Sequence, residues 1–318
     1  MSPMIEADGL TKRFGNNTAV SDLSLRVDEG EVFGFLGPNG AGKTTTVRML
    51  CCLISKTSGG AKVGGYDLGR AGDRTQIRGM VGILPESPGL YDDLSAYRNL
   101  DFYGKMYHCP DGPRRESIER LLRMLGLWER RDDLVGTYSK GMKQKVAIAR
   151  AVVHDPRIVF LDEPTANLDP ESSKTVRDFI LELKKEGRTV FLNTHNLDEA
   201  QRVCDRIGIL KTSLVAVGSP GELRSSLWGR KTVVHLASVT DGVLAAVKGA
   251  GPRNVEVVDG TRLIVDVDDP DRDNPDMVRA IVAAGGDVRF VTELRPTLED
   301  IYLRLLKGGA GVGGAASS

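Results

Sequence analysis

Gly37-Pro38-Asn39-Gly40-Ala41-Gly42-Lys43-Thr44 is the stretch that decides the fold. It satisfies the spacing G-x-x-x-x-G-K-[ST]. The apolar run Val32-Phe33-Gly34-Phe35-Leu36 precedes it, and a helical pattern over Thr44–Leu50 follows. Strand, glycine-rich loop and helix in that order make a cradle for a polyphosphate. The glycines let backbone N–H groups converge on the anion without a Cβ in the way, and the helix adds its positive N-terminal end. On this reading Gly37, Pro38, Asn39, Gly40, Ala41, Gly42, Lys43, Thr44 and Thr45 form a nucleotide-binding loop. Lys43 neutralises the outer phosphates, and the Thr44 hydroxyl ligates Mg2+.

A second apolar run, Ile158-Val159-Phe160-Leu161, ends in Asp162-Glu163-Pro164. A strand of this kind delivers its terminal carboxylates to the C-terminal edge of a sheet, beside the phosphate loop. Asp162 is expected to hold Mg2+, and Glu163 to orient or deprotonate an attacking water.

Outward from these two points, strands and helices alternate. Ile5–Leu10, Val20–Val27 and Val81–Leu84 read as strands, and so do Val190–Asn193, Ile207–Leu210 and Leu214–Val217. Gly141–Val153, Pro170–Glu186 and Leu197–Val203 read as helices. The alternation implies an α/β fold with a largely parallel sheet. Leu94–Tyr107 and Glu116–Leu127 carry apolar residues at helical spacing with little β-branching, which predicts a helical insert. Near Gly218-Ser219-Pro220-Gly221 the pattern resets. Strands at Thr232–Leu236, Val255–Val258, Leu263–Val267 and Val288–Val291, with helices at Asp241–Ala250 and Pro275–Ala284, predict a small ferredoxin-like α+β domain. Its segment 251–300 holds twelve acidic and six basic side chains and no lysine. A helix over Leu298–Leu306 follows, and the Gly/Ala/Ser-rich tail 308–318 is expected to be disordered.

Lys plus Arg and Asp plus Glu both number 43 in 318 residues, so the formal charge is zero. That balance argues against a mainly electrostatic nucleic-acid binder. No apolar run approaches the ~20 residues that span a bilayer, and MSPMIEADGL lacks the basic flank and apolar core of a signal peptide. A cytoplasmic protein is expected, with any work at a membrane done through another chain. Cys51, Cys52, Cys109 and Cys204 fit neither a zinc site nor a redox pair, and are expected to be reduced thiols.

With these motifs in this order, residues 4–224 resemble the nucleotide-binding subunit of an ABC transporter, a P-loop NTPase. The resemblance implies ATP and Mg2+ as ligands and ATP hydrolysis as the activity. Phe14 matches the family's adenine-stacking aromatic. Tyr138-Ser139-Lys140-Gly141-Met142 occupies its signature position, where Ser139 and the Gly141 amide contact the γ-phosphate held by the opposite subunit. Read locally, the same stretch is a helix N-cap. Ala166-Asn167-Leu168-Asp169 resembles the D-loop, with Asp169 also a good N-cap ahead of Pro170. His195 resembles the switch histidine, and Glu86 stands where many relatives carry glutamine and is a candidate metal contact.

The Ser-Lys-Gly-Met-Lys signature and Pro85-Glu86 resemble the subgroup that serves ABC-2-type exporters, including the daunorubicin-resistance ATPases, and Pro296–Tyr302 resembles the closing helix of that subgroup's accessory domain. The implied organisation is an ATPase domain over 1–224 with a helical subdomain near 88–155, and an accessory domain over 225–307. The implied partners are a second ATPase subunit, identical or paralogous, and a membrane permease met by the helical insert, with no nucleic acid. The protein would then sit on the inner face of the membrane through that permease. A soluble ATPase of the same family acting on nucleic acid or ribosomes is the alternative. Such proteins usually carry tandem motor domains, long coiled-coil insertions or basic tracts, and this chain has none of these features.

Overall fold

The computed structural model describes residues 2–85, 89–228, 230–251, 254–294 and 297–307. The chain divides into two compact units, with the change at Ser219/Pro220.

In the first unit, β1 (Pro3–Phe14) and β2 (Asn17–Asp28) form an antiparallel pair. The loop after β3 (Val32–Leu36) leads into α1 (Lys43–Leu50). There follow β4 (Ser58–Val63), β5 (Tyr66–Asp67), α2 (Ala71–Met80) and β6 (Val81–Leu84). Three helices come next: α3 (Ala96–Met106), α4 (Asp111–Met124) and α5 (Lys140–Val152). The series closes with β7 (Ile158–Asp162), α6 (Pro170–Lys185), β8 (Thr189–Thr194), α7 (Leu197–Val203), β9 (Arg206–Lys211) and β10 (Ser213–Gly218).

Two sheets result. The six-stranded sheet runs β10-β9-β3-β8-β7-β6, parallel except for the edge strand β10. The other, β2-β1-β4-β5, is antiparallel. Strands β4 and β5 and helix α2 are not legible in the sequence pattern. Gly59, Gly60, Gly64 and Gly65 dilute the alternation there, and β4 is held by pairing with β1 (Ile5 opposite Val63, Ala7 opposite Ala61).

Every residue of β3 and β7 is buried, which is what a central parallel strand covered on both faces requires. Phe33, Phe35 and Phe160 surround Phe191 with ring centroids 5.2–5.5 Å apart. Burying each ring is worth roughly 2–3 kcal/mol. This packing fixes the level at which the strands end. In register, Leu36 faces Thr194 and Asp162 faces Asn193, so the loops leaving β3, β7 and β8 emerge at one edge.

The second unit contains α8 (Pro220–Trp228), β11 (Arg230–Leu236), α9 (Asp241–Gly249), β12 (Val255–Val258), β13 (Arg262–Val267), α10 (Pro270–Ala283), β14 (Val288–Leu294) and α11 (Leu298–Lys307). Its sheet runs β12-β13-β11-β14 with antiparallel neighbours, the split-βαβ, ferredoxin-like order. Val234, Leu236, Leu263 and Val265 pack with Val243 and Val247 of α9 and Met277 and Ile281 of α10. Helix α10 starts at Pro270, five residues before Pro275, the start read from the sequence. Asp269 accepts the Asp271 N–H, and Asp273 accepts those of Asp268 and Asp269, so the acidic run itself closes the helix start. The tail 308–318 lies outside the described residues.

Candidate nucleotide site

Helix α1 begins without a side-chain cap. Its N-cap is Gly42 in the left-handed region, at φ 101°. A Cβ there would lie 2.3 Å from the Ala19 carbonyl oxygen, so this position admits only glycine. The first-turn N–H groups are left for an external acceptor, the arrangement that suits a phosphate. The loop is braced by the Ala41 N–H on the Pro38 carbonyl (3.1 Å) and the Thr212 N–H on the Ala41 carbonyl (3.1 Å).

Lys43 is buried, and its Nζ donates to the carbonyls of Gly37 (2.6 Å) and Pro38 (3.3 Å). Burial pulls the ammonium below its ordinary pKa, and the nearby Glu163 and Asp162 carboxylates counter this. The ammonium is thus parked on the loop's own carbonyls, within the cradle that an anion would enter.

Thr44 Oγ1 donates to Asp162 Oδ2 at 2.9 Å, and Asn193 Nδ2 donates to Asp162 Oδ1 at 3.3 Å. Asn193 is buried, and its Oδ1 has no hydrogen-bond partner among the described residues. A hydroxyl, a carboxylate and an orphaned carbonyl acceptor suit a magnesium ion that keeps several waters and takes its other ligands from a phosphate. The donor set fits that ion.

Glu163 adopts φ 50°, and its N–H donates to the Asn193 carbonyl at 2.9 Å. Its side chain meets His195 Nδ1 at 2.7 Å through Oε1, and Thr194 Oγ1 at 3.4 Å through Oε2. A carboxylate held on both oxygens at the sheet edge can orient a water or accept its proton.

A cleft of about 480 Å³ joins these groups. Its walls include Phe14, Asn17, Thr18, Ala19, the loop from Pro38 to Thr45, Asp162, Glu163 and Thr212. Phe14 is 51% exposed, with Lys12 Nζ 4.8 Å from its ring centroid, so the ring is open to stacking. Gly37 contributes its carbonyl to Lys43 just behind the lining.

Ser139, Gly141, Asp169 and His195 do not line the cleft. Ser139 is exposed and caps α5, accepting the Met142 N–H at 3.2 Å. Gly141 packs under α6, where a Cβ would sit 2.9 Å from Ser172 Oγ. Asp169 caps α6 by accepting the Ser172 N–H at 2.9 Å, and those hydrogen bonds hold its carboxyl below the usual range. His195 is 63% exposed and reaches the site through Glu163. Glu86 lies outside the described residues. Sequence reasoning missed Asn193 and Thr194. Their only signal is polarity at the end of the apolar run Thr189–Leu192, where a buried strand turns toward a site.

Comparison with known proteins identifies the family of the chain. The model of the ABC transporter family matches residues 20–166. That of the ATP-binding protein DrrA1-3-like C-terminal domain matches residues 218–306. The chain is 34% identical over 304 residues to the daunorubicin resistance ATP-binding protein DrrA3 of Streptomyces coeruleorubidus, covering 95% of each. Among solved structures it resembles cbiO1 from Clostridium perfringens, part of the ABC transporter complex cbiONQ. That match has 26% identity and TM-score 0.64, covering 70% of this chain and 91% of the other. It also resembles a dimeric ATP-binding cassette in a post-hydrolysis state bound to ADP and Pi, with 26% identity and TM-score 0.61, covering 68% and 98%.

Proposed function

Because this chain belongs to the ABC transporter ATP-binding family, in the branch with a DrrA1-3-like C-terminal domain, we propose that it powers export through a separately encoded ABC-2-type permease. It is an ABC ATPase. The observation that carries the site reading is the convergence of the phosphate loop, Asp162 and Glu163 on one cleft. No described helix is long and apolar enough to cross a membrane, which suits a motor that acts through another chain.

In this reading ATP enters with its adenine on Phe14 and its phosphates on the α1 N-terminus. Lys43 exchanges the Gly37 and Pro38 carbonyls for phosphate oxygens, a swap of neutral for charged acceptors. Thr44 and Asp162 would hold Mg2+, which supplies charge neutralisation at the phosphates. Glu163 orients the attacking water and accepts its proton, and His195 steadies Glu163 and faces the γ-phosphate. Catalysis comes from positioning and electrostatics rather than from a covalent intermediate.

Ser139, Gly141 and Asp169 lie outside the cleft of their own chain. We assign them to the site of a second ATPase subunit, packed head to tail so that each ATP is held between two chains. Hydrolysis removes the phosphate that bridges the pair, and the pair opens. The helical segment between β6 and β7 is the face offered to the permease. Residues beyond about 225 form the accessory domain.

The test uses Glu163→Gln in the full chain. Turnover is expected to fall by about 10²–10⁴-fold while ATP binding is kept. ATP should then drive the protein into a stable dimer in size-exclusion chromatography. Undiminished hydrolysis, or a monomer with ATP bound, sinks the reading.

A further inference from the structure

Tyr138 directly precedes Ser139 and is buried, at 6% exposure. Its hydroxyl donates to the Arg130 carbonyl, and the Arg130 guanidinium lies over its ring, 5.3 Å from the centroid. The same guanidinium reaches the far side of the α5 cap. Its Nη1 donates to Met142 Sδ at 3.4 Å, and the Met142 N–H donates to Ser139 Oγ at 3.2 Å. Arg130, Tyr138, Ser139 and Met142 therefore form a closed circuit of contacts.

Capping alone does not require this circuit, because an N-cap needs only its own side-chain oxygen within reach of an N–H two or three residues on. Nor does Arg130 hang from a loose segment. It ends the single turn Trp128–Arg130, which follows buried Leu127. The guanidiniums of Arg123, from α4, and Arg131 lie over the Trp128 ring at 4.8 and 4.4 Å and tie that turn down. Arg130 Nε also meets Asp133 Oδ2 at 2.8 Å, but both side chains are about half exposed, so this pair adds little. A planar guanidinium can cover a ring with its face and use an edge N–H on a second acceptor. A lysine ammonium, a compact point charge, cannot do both.

We propose that Arg130 is a positioning residue for the nucleotide site shared between two chains: it clamps Tyr138 and Met142, and so fixes where Ser139 and Gly141 stand when the opposite subunit's ATP meets them. This inference rests on the reading that Ser139 and Gly141 act on the opposite subunit's nucleotide. Arg130 does not line the cleft of its own chain, so its loss leaves ATP binding by a single chain intact. Its effect falls on the closing of the pair, where a displacement of about 1 Å can cost up to ~10²-fold.

The experiment uses the full chain carrying Glu163→Gln, with saturating ATP and Mg2+, and reads the dimer dissociation constant by analytical ultracentrifugation. Arg130→Ala should weaken the dimer by about ten-fold or more. Arg130→Lys, which keeps the charge and most of the stem, should come within about three-fold of the alanine variant. Asp133→Ala, which removes only the outer ion pair, should stay within about two-fold of Glu163→Gln alone. A fluorescent ATP analogue titrated into dilute, monomeric Arg130→Ala should bind within about two-fold of the unsubstituted affinity, which a general loosening of the fold would not allow. A dimer of undiminished strength in Arg130→Ala overturns the proposal. So does an equal loss of ATP affinity in the monomer, or a lysine variant that dimerises as well as arginine. If Glu163→Gln alone stays monomeric with ATP, or Ser139→Asp still dimerises in that background, the underlying reading falls. If Ser139→Asp blocks the dimer and Arg130→Ala does not, only this inference falls.

Discussion

Thr44 Oγ1 and Asp162 Oδ2 are joined by a 2.9 Å hydrogen bond across 118 residues of sequence. One residue lies in the first turn of α1 and the other closes β7, and the six-stranded sheet brings the two ends to a single edge. The hydroxyl that would ligate Mg2+ thus already points at the carboxylate that would share the ion. Asn193 holds the second oxygen of Asp162, so the carboxylate has little freedom to turn away.

From this pair we expect Asp162→Asn to bind ATP in the presence of EDTA about as well as wild type. Its Mg2+-dependent gain in affinity should be lost, and hydrolysis should fall by at least about 100-fold, the scale of removing one electrostatic group from a preorganised site. Titration with a fluorescent ATP analogue, with and without Mg2+, separates the two effects. Equal Mg2+ enhancement in both proteins contradicts the assignment.

At the loop end, Gly42→Ala combines a backbone at φ 101° with a Cβ that would lie 2.3 Å from the Ala19 carbonyl. Strain in that region costs about 1–3 kcal/mol before the clash is counted. We expect a lower melting temperature and loss of nucleotide binding together, because the loop can relieve the clash only by moving the α1 N-terminus. Calorimetry and a binding titration on the same preparation check this.

Ser139 has one role the structure shows and a second that we propose, and the two are separable. As the α5 N-cap it accepts the Met142 N–H, and Ser139→Ala should cost about 1 kcal/mol of stability. As a contact to the opposite subunit's nucleotide, its loss should prevent ATP-driven dimerisation in a Glu163→Gln background. Ser139→Asp keeps the cap but adds negative charge. It should fold normally and still fail to dimerise in light scattering, and a dimer there would leave only the capping role.

His154 stacks on Tyr107 with ring centroids 3.7 Å apart, and its Nε2 meets the Val81 carbonyl at 3.1 Å. Burial holds the imidazole at about 4, well below the ordinary 6.5. The folded state therefore stays neutral while the unfolded state takes up a proton. Stability is lost as pH falls from about 6.5 toward 4, on the order of 2 kcal/mol by pH 5. In urea denaturation, wild type should lose more stability between pH 7.5 and 5 than His154→Gln, by about that amount. Equal losses would show that His154 does not titrate with unfolding.

Much of the site was legible because its parts are local. A glycine-rich turn between Leu36 and Thr44, two carboxylates ending Ile158–Leu161, and a capping serine before α5 each need only neighbouring residues to be recognised. The helical segment and the ferredoxin-like order were legible from periodicity for the same reason. Strand β4 was not, because its glycines carry no pattern and its stability comes from pairing with β1. Nor was the early start of α10, where an aspartate cap at Asp269 overrides Pro275 as the opening signal.

The sequence by itself determined which groups we propose for a nucleotide: the loop, Lys43, Thr44, Asp162 and Glu163, each placed at the end of an element that its own residues dictate. Only the tertiary structure decided which of them meet. The register of β3, β7 and β8 joins Thr44 to Asp162 and suspends Thr194 between Glu163 and Glu199. It also leaves Ser139, Gly141 and Asp169 outside the cleft of their own chain. The physical reason is that backbone preference and capping act over a few residues. The pairing of strands depends instead on the buried packing of side chains far apart in the chain, such as Phe33, Phe160 and Phe191.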